Sequence, residues 1–187
     1  MITFTLTGAP ASEPVSAEDL RLHAHLDDNG DDADIESKLL TARHLIEQAT
    51  GRSLIAQTWT AYLRSWPEPE ADGLIHIRLA PFPASVASVA VDGVALDSAL
   101  YQLKGDELIV LAADLESIPE GDDLDDGVLI TFTSSAGAIA APPLVTAIKI
   151  LGAHLYEHRE PVTVDQMMGV FGLGHILQTY RVMRELN

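Results

Sequence analysis

The residues best suited to do chemistry lie at positions 154–158, which read HLYEH. On a helix, His154 and His158 face the same side and can hold zinc, while Glu157 can act on a zinc-bound water. This H-x-x-E-H pattern needs a further carboxylate from downstream, where only 3 carboxylates remain. A helix end with two histidines near its negative pole gives the same letters. We therefore predict no metal and no catalytic residue, and keep a zinc-dependent hydrolase on this pattern as the alternative.

Two further segments invite a ligand but lack the required spacing. A calcium loop of the EF-hand type needs glycine at its sixth position and glutamate at its twelfth. Counted from Asp27, Gly30 is fourth and Lys38 is twelfth, so we predict that residues 27–34 form a solvated turn whose aspartates cap a helix. The glycine-rich residues 168–174 follow no predicted strand and lack a phosphate-loop lysine, which favours a segment that orders against a partner.

A second acidic run covers residues 116–126, between the last two predicted strands. One interpretation is a solvent-exposed loop. The other is a wall that DNA passes without sticking, because carboxylates repel phosphates. The residues of this acidic wall would be Asp122, Asp123, Asp125 and Asp126.

Four helices are predicted around these segments. Ser16 can cap a short first helix, and Gly51 lies where the second helix should end. A third helix opens at residues 142–143, which are both proline, and runs to about residue 159. The fourth follows the glycine-rich segment. The second helix has the clearest apolar stripe, with Ile35, Leu39, Ala42, Ile46 and Ala49 on one face.

Strands are predicted in the middle of the chain, where the period of the apolar residues changes to two. Asp92-Gly93 is a strong signal for a two-residue hairpin turn. The predicted strands cover residues 54–63, 75–79, 86–91, 94–96, 100–103, 108–111 and 128–133.

Together these elements predict an α+β fold. It would have a mainly helical core, made of two N-terminal and two C-terminal helices, with a small antiparallel β insert between them. The predicted boundaries are an N-terminal arm at 1–15, a helical hairpin at 16–52, a β module at 53–135 and C-terminal helices at 142–187, with 16–160 forming one folded unit.

Composition narrows the classes of function. The chain has 187 residues, of which 47% are hydrophobic, as in a globular domain. It has no cysteine, which excludes disulfides, thiolate metal sites and cysteine nucleophiles. Its net charge of −17 repels DNA phosphates and anionic membranes. With no long apolar run and no signal-peptide layout, we expect a soluble protein made inside the cell.

Several short motifs occur in a recognisable order along nearly the whole chain. They are Glu13-Pro14-Val15-Ser16, Ala42-Arg43, Ile46-Glu47, Ala49-Thr50-Gly51-Arg52, Gln57-Thr58-Trp59, Leu79-Ala80-Pro81-Phe82-Pro83, Tyr101, Pro142-Pro143, residues 154–160 and Tyr180-Arg181-Val182. In that order they resemble the head–tail connector, or adaptor, proteins of long-tailed phages, prophages and gene transfer agents. The family's proline stretch usually carries a basic residue where this chain has Ala80.

The resemblance implies a structural protein without catalysis or cofactor. Family members form a homo-oligomeric ring of about twelve subunits below the portal protein. The ring extends the DNA channel without sequence-specific binding and receives a stopper or tail-completion protein. The expected location is the head–tail interface of a virion or phage-like particle made in the bacterial cytoplasm.

The resemblance also suggests where partners bind. The C-terminal segment would dock on the portal, while loops of the β module would face neighbouring subunits or the tail side. The resemblance also implies that residues 154–160 are the end of the third helix. The favoured interface residues are Phe171, Leu173, Tyr180 and Arg181.

Overall fold

The computed structural model describes residues 1–10, 12–26, 31–111, 127–134, 141–158 and 173–181. Within these residues the helices are α1 (Ala17–Ala24), α2 (Asp32–Thr50), α3 (Pro142–Glu157) and α4 (Leu173–Tyr180). The strands are β1 (Ile2–Gly8), β2 (Thr58–Leu63), β3 (Ile75–Arg78), β4 (Pro83–Val91), β5 (Val94–Ala95), β6 (Tyr101–Lys104), β7 (Glu107–Val110) and β8 (Val128–Ser134).

The chain divides into two compact units. The β unit combines Met1–Pro10 with Ala56–Ser135, and the helical unit combines Ala11–Ile55 with Ala136–Asn187. Each has its own cluster of buried apolar side chains. The predicted α+β class and the antiparallel pairing are confirmed. The mainly helical character is not, because the strands contain nearly as many described residues as the helices.

The unit boundaries differ from those expected from the sequence. Residues 2–8 of the predicted arm form β1, which pairs antiparallel with β2 from Ile2↔Leu63 to Leu6↔Trp59. Their alternation of threonine with apolar residues suits a strand that is covered on one face. Val15, the last residue of the predicted arm, is instead buried in the helical unit. Residues 16–160, expected to be one folded unit, contribute to both apolar clusters.

The helical unit follows local signals in the sequence. The Ser16 hydroxyl accepts the Asp19 N–H at 3.1 Å, and the Asp19 carboxylate accepts the Ser16 N–H at 3.1 Å, so a capping box starts α1. Gly51 ends α2 in the left-handed conformation, with φ 69°. The stripe of α2 packs on α3, where Gly152 lets Leu39 approach closely. The buried stripe residues are Ile35, Leu39, Ala42 and Ile46.

The β unit contains two antiparallel sheets. One has the strand order β1-β2-β8-β4-β5, and the other has the order β3-β7-β6. Side chains of β8 alternate between buried and half-buried, and Phe132 packs edge-on against Phe4 with ring centroids 6.4 Å apart. The predicted Asp92-Gly93 turn is confirmed: it joins β4 to β5 with positive φ at both residues.

Hydrogen bonds join the two ends of Ala56–Ser135, the long segment of the β unit. The Ser134 N–H donates to the Gln57 carbonyl at 2.8 Å. The Gln57 N–H donates to the Ser134 hydroxyl at 3.2 Å. Both residues are buried, so these bonds are shielded from water.

Gly127, just before β8, gives a test of the packing of the β unit. It has φ +67°, and a Cβ there would lie 2.5 Å from the Leu63 carbonyl oxygen. Gly127→Ala should therefore lower the free energy of unfolding by about 2–4 kcal/mol through backbone strain and overpacking. Gly93→Ala is the matched control, because its φ is +76° with nothing within 4 Å of a Cβ. It should cost only about 1 kcal/mol.

Urea unfolding followed by tryptophan fluorescence measures the free energy of unfolding of the β unit in both variants. The chain's 2 tryptophans, Trp59 and Trp66, pack against the β core. Equal losses for the two alanine variants would contradict the close approach of Gly127 to β2.

Candidate interaction surfaces

A buried arginine organises the helical unit. Arg43 lies on the packed side of α2 and is only 1% exposed. Its guanidinium donates to both carboxylate oxygens of Glu13, at 2.7 and 3.2 Å. It also donates to Glu47, one turn later, at 2.6 Å. Charge-assisted, bidentate bonds of this kind neutralise the charge of a buried guanidinium and also match the directions of its N–H donors.

The same cluster fixes two loops. Glu13 belongs to the segment that leads into α1, and the second oxygen of Glu47 accepts the Leu54 N–H at 2.7 Å, beyond the end of α2. Arg43 therefore holds the chain before α1 and, through Glu47, the chain after α2. Sequence reasoning missed this Glu13–Arg43–Glu47 cluster. The available signal was an arginine within the apolar stripe, between Leu39 and Ile46, with a glutamate four residues later.

The four predicted interface residues fall in different environments. Leu173, at the start of α4, is 0% exposed, and its side chain packs in the helical core. Tyr180 is half-buried, and its carbonyl accepts the Arg52 guanidinium at 2.8 Å. Arg181 follows on the surface. Phe171 lies outside the described residues. Among the three described members of this group, the exposed part is the end of α4, which Arg52 from the loop after α2 holds in place.

The four residues of the predicted acidic wall, Asp122, Asp123, Asp125 and Asp126, which the family resemblance would place in the channel, lie outside the described residues. Gly127, which follows them, is buried and begins the approach to β8.

The H-x-x-E-H residues do not form a metal centre with other described residues. The rings of His154 and His158 stack with centroids 4.4 Å apart, and His158 has left the helix, with φ −113° and ψ 106°. Within the described ranges, no group of three histidine, aspartate or glutamate side chains could hold a metal ion. The three downstream carboxylates are outside those ranges. The hydrolase alternative thus gains no support from the geometry.

An acidic cleft of about 610 Å³ lies between the start of α2 and the end of α3. Its walls include Asp31, Asp34, Lys38, Tyr156 and Glu157. Asp31 holds the N-cap position of α2, yet its side chain makes no capping hydrogen bond and instead accepts the Tyr156 hydroxyl at 2.7 Å. The expected capping role of this aspartate is therefore replaced by a bond that ties α2 to α3.

A charged cluster on β3 and β7 surrounds one histidine. The Nε2 atom of His76 lies 3.0 Å from the Asp72 carboxylate, and its Nδ1 lies 3.4 Å from that of Glu107. Glu107 also binds Arg78 at 3.0 Å. The Asp72 carboxylate, followed by that of Glu107, raises the pKa of His76 above its ordinary value of 6.5. Both ring nitrogens thus face carboxylates, an arrangement that favours the imidazolium form.

Among the described residues, no helix is both long enough and apolar enough to cross a membrane.

Solved gene transfer agent (GTA) particles contain chains with this fold. One match is to a chain in the neck of an empty GTA particle computed with C6 symmetry. It has a TM-score of 0.72 and 23% identity, over 99% of this chain and 98% of the other. The fold is that of a GTA neck chain. A match to the neck of a native GTA particle computed with C12 symmetry has 21% identity, the same coverage and a TM-score of 0.72.

A third match has the same coverage, 20% identity and a TM-score of 0.67; it is to a chain in the virion of a native GTA particle. No protein-family model matches the sequence. No curated protein matches it significantly either. The structural likeness is consistent with the head–tail connector family that the sequence motifs resemble.

Arg43→Met tests whether the buried cluster stabilises the helical unit. The variant removes the guanidinium from Glu47, whose side chain is 11% exposed. Breaking one side of a buried ion pair typically costs about 3–5 kcal/mol. We expect a loss of about that size in urea unfolding followed by helical circular dichroism. Arg64→Met, at an exposed arginine, should cost less than about 0.5 kcal/mol. Similar losses for both would contradict the assigned role of Arg43.

The His76 cluster predicts a dependence of stability on pH. Because the pKa of His76 is raised on folding, its stabilising effect is complete below pH 6.5 and is lost as pH rises through the folded value. NMR titration of the ring should show a pKa above 6.5 that falls in Asp72→Asn. Asp106→Asn is the control, since Asp106 faces Arg78. An unchanged titration in Asp72→Asn would refute the assignment.

Proposed function

We propose that this chain is a structural head–tail connector (adaptor) subunit. In this proposal, about twelve copies form a ring between the portal and the stopper or tail-completion protein of a phage or phage-like particle. The ring extends the DNA channel and performs no catalysis. The observation that carries the proposal is the likeness, over 99% of the chain, to a chain in a GTA neck computed with C12 symmetry.

The charge of the chain supports passage of DNA without binding. With a net charge of −17 per copy, a ring offers few lysines or arginines to DNA phosphates. Each such contact would add salt-dependent attraction and so hold the duplex back. In this proposal the acidic run that includes residues 122–126 lines the channel.

The end of α4 is the proposed portal contact. Arg181 is an exposed cation on a strongly acidic chain, and Tyr180 beside it offers a half-buried aromatic ring. Arginine and tyrosine are enriched among the residues that dominate protein–protein affinity. The bond from Arg52 to the Tyr180 carbonyl orders this end before binding, which lowers the entropic cost of docking. Phe171 joins this contact in the proposal, while Leu173 supports it from the core.

Affinity purification from producing cells tests the proposed function. The tagged chain should recover portal, stopper and tail proteins in constant ratio, identified by mass spectrometry. Electron microscopy of the recovered complex should then show a ring. Recovery without any head or tail protein would contradict the proposal. Stoichiometric zinc in such a sample, purified without a histidine tag or chelator, would favour the hydrolase instead.

Arg181→Glu sharpens this test. If Arg181 contacts the portal, the reversal of charge should weaken portal recovery at least about tenfold, as expected for a dominant interface residue. Arg64→Glu makes the same change in charge at an exposed residue of the β unit and should leave recovery unchanged. Equal recovery with both variants would remove Arg181 from the portal contact.

A further inference from the structure

The five-stranded sheet has two unlike strand edges that the described part of the chain leaves open. At one end β1 pairs only with β2. At the other end β5 pairs with β4 at Ala90↔Ala95 and Val91↔Val94, and the Leu96 N–H donates to the Val89 carbonyl at 2.8 Å. Residues 84–88 of β4 therefore have β8 on one side and no described strand on the other. Such edges expose N–H and C=O groups that can pair with another chain.

These two edges carry no charge. Neither Ile2–Gly8 nor Pro83–Val91 contains a charged residue. The edges of the three-stranded sheet differ: β3 carries Arg78 and His76, and β6 carries Lys104. Charged residues on an edge strand oppose pairing with another sheet. Among the described strands, charge thus protects the edges of the three-stranded sheet and not those of the five-stranded sheet.

The available strand surfaces also suit a close approach of backbones. Ala84, Ser85, Ala87 and Ser88 are exposed and small. Bulges in the β4–β8 pairing bend β4 at this point, so the incoming strand must follow a twisted edge. On β1, the exposed threonines are residues 3, 5 and 7. Threonine is a strong strand former, and β1 contains no proline.

Strand direction fits a head-to-tail contact between copies. Each neighbouring pair from β1 through β2 and β8 to β4 is antiparallel, so β1 and β4 run in opposite directions. Copies arranged side by side in the same orientation bring β1 of one copy antiparallel to β4 of the next. Contact between two unlike patches repeats from copy to copy and closes into a ring, whereas pairing of β1 with β1 stops at a dimer.

Electrostatics favours the same contact. Each copy carries a net charge of −17, so copies repel one another across most surfaces. Backbone hydrogen bonds between uncharged strands need no compensating cation.

We propose that β1 of one copy pairs antiparallel with residues 84–88 of β4 in the next copy, joining neighbouring subunits. This inference rests on the ring in the proposed function and names the surface that closes it. The partner is a second copy of this chain.

Cysteine cross-linking tests the contact directly, because the natural chain contains no cysteine. Opposed residues on antiparallel strands have Cα atoms about 4.5–5.5 Å apart, within the range that a disulfide spans. Thr3→Cys, Thr5→Cys or Thr7→Cys is combined with Ala84→Cys or Ala87→Cys to cover the register. In purified particles, at least one double variant should give a ladder of covalent multimers under mild oxidation. Each single variant should give no ladder.

The controls separate strand pairing from chance collision. Thr5→Cys combined with Gln102→Cys, on the exposed edge of the other sheet, should give no ladder. Thr5→Lys adds a charge to the β1 edge and should reduce incorporation into particles at least tenfold. Gln102→Lys should leave incorporation unchanged. Tryptophan fluorescence and circular dichroism verify that each variant is folded.

The outcomes distinguish this inference from the proposed function. Ladders, together with loss of incorporation in folded Thr5→Lys, support the strand contact. If the wild-type chain enters particles while no double variant gives a ladder and Thr5→Lys enters normally, the strand contact is refuted and the connector function stands. If the wild-type chain recovers no head or tail protein, both proposals fail.

Discussion

The helical unit depends on one buried positive charge. Among the described residues Arg43 is the largest side chain that is fully buried, and an arginine cannot lose its charge to suit an apolar core. Two carboxylates must therefore reach it, one from the segment before α1 and one from α2 itself. Because the guanidinium has fixed donor directions, the Glu13 and Glu47 carboxylates lie where those donors point.

Local features of the structure could be predicted from the sequence, and long-range features could not. The Ser16 cap, the end of α2 at Gly51 and the Asp92-Gly93 turn each depend on a few neighbouring residues. The strand at residues 2–8 depends on pairing with β2, more than fifty residues away. Its alternating threonine and apolar residues alone therefore predicted only an extended arm. The division into two units has the same cause, because each combines segments distant in sequence.

The same distinction between local and long-range features applies to the candidate surfaces. The end of α4 was predicted through family resemblance, which identifies a region but not which of its side chains face outward. Burial of Leu173 is set by packing against other helices, and periodicity in so short a segment does not determine it. The His76 cluster depends on the register of β3 against β7, which places Arg78 opposite Glu107. No spacing in the linear sequence encodes that register.

The hydrogen bonds between Gln57 and Ser134 have a consequence for how such a chain can evolve. They bring together the first and last parts of a segment of nearly eighty residues, so the segment begins and ends at the same place. Loops between those ends can lengthen or shorten at little cost to the helices, because the chain returns to where it left. Proteins with this fold can therefore vary the β unit while retaining the helical unit.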